Sequence, residues 1–235
     1  MSAKNIIVTG ASKGIGKGIA AAFAAEGANL FLCSRNETVL LSTVAELKLA
    51  FPKCTVKTKS ADLSVKEEAV AFGKWCVEYG TPDILVNNAG SFLPGSVYNE
   101  EDGLLEKMIE TNLYSAYHVT RTVIAEMIAA KKGHVFNICS IASLHAYSNG
   151  GSYSISKFAL MGFSKNLREE LKEHHIKVTA VYPGAVLTDS WGNYDNSNRR
   201  IMEAKDVADM VVAASKLSPA AVIEDIILRP QLGDL

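Results

Sequence analysis

Short apolar runs alternate with longer amphipathic stretches from one end of this chain to the other. Runs at 4–9, 29–34, 54–60, 82–86, 133–139, 176–182 and 221–228 predict seven strands. Several, such as NIIVT and NLFLCS, show no in–out alternation, which suits strands buried on both faces of a parallel sheet. Helical patterns fill the intervals: an alanine-rich stretch ending near Glu26, then 37–49, 64–79, 100–130, 152–173 and 203–217. No linker, repeat or low-complexity segment interrupts them. The alternation predicts one α/β domain over residues 1–235, a three-layer doubly wound fold with a parallel seven-stranded sheet. Ligands of such folds gather at the carboxyl ends of the strands.

Composition narrows the function classes. Hydrophobic residues at 48% and charged residues at 21% fit an ordinary globular chain. A formal net charge of -1 gives no basic footprint for nucleic acid. No apolar run approaches the ~20 residues that cross a bilayer. The N-terminus leads straight into a strand, without a signal-peptide layout. Cys33, Cys54, Cys76 and Cys139 are scattered, with no CxxC pair and no metal-ligand spacing. The expectation is a reduced, cytoplasmic protein with no metal site.

The first strand ends in Thr9-Gly10-Ala-Ser12-Lys13-Gly14-Ile15-Gly16, and a helix follows. Strand, glycine-rich turn and helix form a dinucleotide-binding arrangement, with backbone approaching a pyrophosphate at the helix N-terminus. The overall reading is a Rossmann fold. NAD-selecting proteins place an acidic residue at the end of the second strand. Here Ser34 and Arg35 stand there, with no carboxylate until Glu37. Arg35 and Lys13 suit a 2′-phosphate, so NADP(H) is favoured and NAD(H) is the alternative. Asp62 suits the adenine amino group or the cap of the next helix. Asn87-Asn88-Ala89-Gly90 arrives at the same sheet edge. Asn112 falls inside a helical stretch, where asparagine is costly and can disturb the ladder enough to hold a water.

Tyr153 and Lys157 stand four residues apart, on one face of a helix start. An ammonium favours the phenolate and so brings tyrosine toward a useful pKa. Ser140, just past the fifth strand, can hold a substrate oxygen.

Together, Thr9-Gly10-x-x-x-Gly14-x-Gly16, Asn87-Asn88-Ala89-Gly90, Asn112, Ser140, Tyr153-x-x-x-Lys157 and Pro183-Gly184 resemble the short-chain dehydrogenase/reductase family. The resemblance runs from Lys4 to about Leu228. It implies that Tyr153 is the general acid in carbonyl reduction and the base in reverse. It further implies that Lys157 holds the nicotinamide ribose, that Ser140 bonds the substrate oxygen, and that Asn112 retains a water. Gly10, Ser12, Gly14, Ile15 and Gly16 would cradle the pyrophosphate. Asp62 and Leu63 would meet the adenine, and Asn88, Ala89 and Gly90 the adenosine and ribose side. Val186 and Thr188, after Pro183-Gly184, would approach the carboxamide. The substrate site would occupy about 140–205, with His145 and Tyr147 lining it. The segment 188–205 is short for the family, implying an open or small pocket.

The implied activity is NADP(H)-dependent reduction of a small or medium carbonyl, or oxidation of the alcohol. A 3-oxoacyl thioester reductase is the nearest alternative, and a non-catalytic nucleotide sensor a more remote one. The family further implies a homodimer or homotetramer pairing the helices at 100–130 and 152–173.

Overall fold

A computed structural model describes residues 3–234. Seven parallel strands lie in the order β3-β2-β1-β4-β5-β6-β7. They are β1 (Asn5–Thr9), β2 (Asn29–Ser34), β3 (Thr55–Ser60), β4 (Ile84–Asn87), β5 (Gly133–Ile138), β6 (Ile176–Pro183) and β7 (Asp225–Leu228). The order reverses between β1 and β4, so the crevice opens beside the glycine-rich turn.

The apolar runs are continuous because both faces are covered. Ile6, Val8, Leu30 and Leu32 point to one layer, with α1 (Gly14–Ala25), α2 (Glu37–Ala50) and α7 (Ala204–Ser215). Ile7, Phe31, Leu85 and Val135 point to the other, with α3 (Lys66–Val77), α5 (Ser115–Ala130) and α6 (Gly151–Leu171). The alanines and glycines of α1 let α7 approach closely: a Cβ on Gly18 would stand 3.2 Å from the Ala204 carbonyl oxygen. Among the described residues no helix is long and apolar enough to cross a membrane.

Three expected elements differ. The helical stretch expected at 100–130 begins at Leu104, after Gly103 in a left-handed conformation (φ 86°). It then divides into α4 (Leu104–Ile109), a π-helical turn (Glu110–Tyr114) and α5. The third helix starts at Lys66 because Asp62 accepts bonds from the Ser64 N–H and hydroxyl, forming a turn ahead of the helix rather than its cap. The last strand is shorter than its apolar run. Residues before Asp225 meet β6 only through isolated bonds, such as Thr179 Oγ1 to the Ile223 carbonyl (2.6 Å).

His134 is the titratable group buried in β5. Its Nε2 lies 2.7 Å from Thr179 Oγ1, and its ring stacks on Phe136. Burial, aided by Lys177 and Lys4, pushes its pKa down to about 3. Protonation therefore favours the unfolded chain, where the ordinary value is near 6.5. This contribution to stability is complete above about pH 6.5 and is lost as pH falls toward 3. The loss reaches at most about 1.4 kcal/mol per pH unit. Urea unfolding at pH 7.5 and 5.0 is expected to show that fall, and His134→Gln is expected to flatten it. An equal slope in the variant would assign the acid sensitivity elsewhere.

Candidate active site

A groove of about 670 Å³ runs along the carboxyl ends of the strands. Its lining includes Gly10, Ser12, Lys13, Gly14, Ile15, Ser34, Arg35, Asp62, Leu63, Asn88, Ala89, Gly90, Tyr153, Lys157 and Thr188. These come from six separate segments that the sequence pattern had singled out. Gly16, Asn112, Ser140, Pro183, Gly184 and Val186 are not among the lining residues. A Cβ on Gly16 would lie 2.4 Å from both the Gly10 carbonyl oxygen and Asn88 Nδ2, so glycine there serves the turn itself. Gly184 packs on Pro230 and Asp234, and Val186 is buried, bridged to Met202.

The floor of the groove is a lock between two strand ends. Asn88 Nδ2 donates to the carbonyls of Thr9 (2.9 Å) and Gly10 (3.1 Å). Thr9 Oγ1 accepts from the N–H groups of Asn88 and Ala89, both at 2.9 Å. A Cβ on Gly10 (φ 64°) would meet Ala89 Cα at 2.9 Å, so only glycine allows the contact. Asn87 points the other way, into a buried chain with Thr120, Asn137 and Ser164.

The residues fit a dinucleotide. The N-terminus of α1 has no side-chain cap and no acidic residue in its first turn, so its free N–H groups and positive end face the groove. Arg35 is exposed and makes no ion pair among the described residues. Lys13, expected beside it at a 2′-phosphate, instead pairs with Asp189 across the groove at 2.9 Å. An exposed pair of this kind is worth at most about 1 kcal/mol, so an anion can compete for the lysine.

At the other end, Ser140, Tyr153 and Lys157 converge. Ser140 Oγ accepts from Ala142 N–H (3.1 Å) in a short helical turn, leaving its proton free to donate toward Tyr153. Phe92 packs edge-on against the Tyr153 ring, centroids 4.8 Å apart. Lys157 is buried, its Nζ donating to the Ile138 carbonyl at 2.9 Å and lying 5.9 Å from the Tyr153 ring centroid. The expected lowering of the tyrosine pKa is not what this arrangement gives. Burial pushes the phenol up to about 12, with the Ser140 hydroxyl opposing it, and burial lowers Lys157. The phenol is thus fully protonated near neutrality.

Asn112 sits in the π-helical turn, so the helix ladder is indeed disturbed there. Its fully buried amide is committed to the loop after β4: it accepts from Ser91 N–H (2.8 Å), donates to the Ser91 carbonyl (3.1 Å) and donates to Ser156 Oγ (2.9 Å). Gly90 lies between Asn112 and Lys157, where a Cβ would be 2.9 Å from the Asn112 Oδ1. His145 and Tyr147, expected in the pocket, are exposed on the loop before α6 and do not line the groove. Thr111, Ser115 and Cys139 do line it and were missed. Thr111 lies in the π-helical turn and Ser115 directly follows it.

The family model for short chain dehydrogenases matches residues 4–199. The chain belongs to the short-chain dehydrogenase family. This short-chain dehydrogenase is 32% identical over 244 residues to a sepiapterin reductase of Chlorobaculum tepidum, covering 98% of this chain and 97% of the relative. Among solved structures, a metagenomic short-chain oxidoreductase in complex with NADP superposes with a TM-score of 0.85 at 30% identity, covering 97% of each chain. An alcohol dehydrogenase of Thermococcus sibiricus complexed with 5-hydroxy-NADP gives 0.90 at 25% identity, covering 98% of this chain and 97% of that one. The seven-stranded parallel sheet and its flanking helices are the family's Rossmann-type fold, and the protein is an oxidoreductase by membership.

Removing the Asn112 amide orphans Ser91 and Ser156 groups in a dry setting, a loss of about 2–4 kcal/mol. Asn112→Ala is expected to lower the unfolding free energy by that amount in urea titration. A change below about 1 kcal/mol would mean the network relaxes at little cost.

Proposed function

We propose that this short-chain dehydrogenase is an NADP(H)-dependent carbonyl reductase acting on a small or medium substrate, also competent for the reverse alcohol oxidation. The observation that carries this reading is the composition of the two ends of one groove. A protonated phenol with a serine hydroxyl beside it stands at one end, and an unpaired arginine with no carboxylate at the end of β2 stands at the other. The NADP in the metagenomic relative and the reductase name of the Chlorobaculum relative support it.

Bound in the groove, a reduced nicotinamide supplies the hydride that reaches the carbonyl carbon. Ser140 donates a hydrogen bond to the carbonyl oxygen and fixes its position. Tyr153 transfers its phenolic proton to that oxygen as charge develops there, which completes the alcohol. The buried phenol holds the proton that this step requires. Lys157, whose ammonium lies near the phenol, stabilises the phenolate left behind and contacts the ribose. Arg35 holds the 2′-phosphate, and Lys13 joins it on release from Asp189. Phe92 and Ser91 form the substrate-side wall.

The exposed apolar side chains Tyr114, Tyr117, Ile155 and Phe158 on and around α5 and α6 support a homodimer or homotetramer. Sedimentation of the native chain and of Phe158→Glu tests this: the variant is expected to be smaller, and a monomeric native chain refutes it.

The activity test is NADPH and NADH oxidation over α-diketones, β-keto esters, amino-acid semialdehydes and 3-oxoacyl thioesters. Tyr153→Phe is expected to lose about 10²–10⁴-fold in turnover with NADPH affinity nearly unchanged. Arg35→Ala is expected to weaken NADPH binding by about tenfold or more and leave NADH binding alone. Turnover retained by Tyr153→Phe sinks the acid assignment, and faster turnover with NADH sinks the phosphate assignment.

A further inference from the structure

The stretch after β4 returns toward α4, and at its end Glu100 reaches the first turn of α6. The Glu100 carboxylate accepts from Ser152 N–H at 3.2 Å and from Ser152 Oγ at 2.5 Å. Nothing local does this. The residue before the helix, Gly150, offers no side-chain cap, and the first turn contains no acidic residue. A helix start leaves orphan N–H groups and the positive end of the dipole, and a carboxylate answers both.

Two further bonds join the same pair of loops. Gly95 N–H donates to the Asn149 carbonyl (3.0 Å), and Ser96 Oγ donates to Asn149 Oδ1 (2.9 Å). The approach is close: a Cβ on Gly151 (φ 40°) would stand 2.5 Å from the Gly95 carbonyl oxygen and 2.6 Å from Glu100 Oε2. Tyr153 is the residue after Ser152, and Phe92, from the stretch that ends in Glu100, lies edge-on against its ring. Farther along, α6 is anchored by buried Leu160, Leu167 and Leu171. The helix as a whole therefore does not depend on the carboxylate; in its first turn the carboxylate acts together with Ser154 Oγ, which donates to the Ala142 carbonyl at 2.8 Å.

We propose that Glu100 is a positioning residue for Tyr153. It touches no reacting atom. By holding the first turn of α6 against the loop that carries Phe92, it sets the direction of the phenol and the wall beside it together. This rests on the reading of Tyr153 as the proton donor. Displacements of about 1 Å at a reacting group can cost 10²-fold in rate, which gives such a clamp its leverage.

The test compares Glu100→Ala, Glu100→Gln, Ser152→Ala and Tyr153→Phe. Each is assayed with NADPH and whichever panel carbonyl the native protein reduces fastest, and amide hydrogen exchange is measured on the same samples. Glu100→Ala is expected to lower kcat by about 10- to 100-fold while the NADPH Kd stays unchanged. Glu100→Gln keeps an acceptor oxygen and is expected to recover most of that loss, with Ser152→Ala in between. Exchange in Glu100→Ala is expected to rise at Ser152–Ser154 and stay unchanged from Leu160 onward, a readout that needs no substrate. Native kcat in Glu100→Ala, or exchange unchanged at the first turn, overturns the proposal. So does a Gln variant as impaired as the Ala variant. Turnover surviving in Tyr153→Phe instead overturns the acid assignment, whatever Glu100 does.

Discussion

Much of this molecule depends on how closely the ends of β1 and β4 approach each other. Parallel neighbours at a topological switch point send their connections to opposite faces, which opens a crevice between them. Here the crevice floor is closed by side chain to backbone bonds from Asn88 and Thr9, and Gly10 and Gly16 remove the Cβ atoms that would hold the segments apart. With the floor fixed, the uncapped start of α1 is aimed along the groove, and Gly90 is held between Asn112 and Lys157. The glycines of the motif therefore divide their work. Gly10 and Gly16 satisfy the protein's own packing, whereas Gly14 (φ 56°) lies along the groove, near the Thr188 side chain.

Behind the groove lie polar groups that have left water. Asn87, Thr120, Asn137 and Ser164 join β4, β5, α5 and α6 in one buried chain, and Asn112 with Ser91 and Ser156 forms a second. Such groups are costly to bury unless paired, and once paired they admit few alternative arrangements. The second chain ties α6, which carries Tyr153, through Asn112 to the loop that carries Phe92.

The strands were legible because a sheet covered on both faces writes itself as unbroken apolar runs, as in Asn5–Thr9 and Asn29–Ser34. The groove residues were legible because they cluster at strand ends, where glycine, asparagine and serine interrupt those runs. What periodicity could not reveal was anything set by hydrogen bonding across the fold. The π-turn at Glu110–Tyr114, which holds Asn112, is one such feature. The Lys13–Asp189 pair was not legible because nothing in the sequence places the two across from each other. Asn87 and Asn88 arrive at the same sheet edge, and the alternation of a strand sends their side chains to opposite sides. Glu100 read only as a helix start, since its partner is 52 positions away.

All four cysteines are buried, and burial lifts each thiol above its ordinary range, Cys33 and Cys139 to about 12. The thiolate is the reactive form, so burial slows the reaction of every one of them with alkylating and oxidising reagents, although Cys33 and Cys139 line the groove. Cys76 lies in the core between α3 and the sheet, so its modification proceeds through opened molecules, and its rate becomes a clock for how often that helix leaves the sheet.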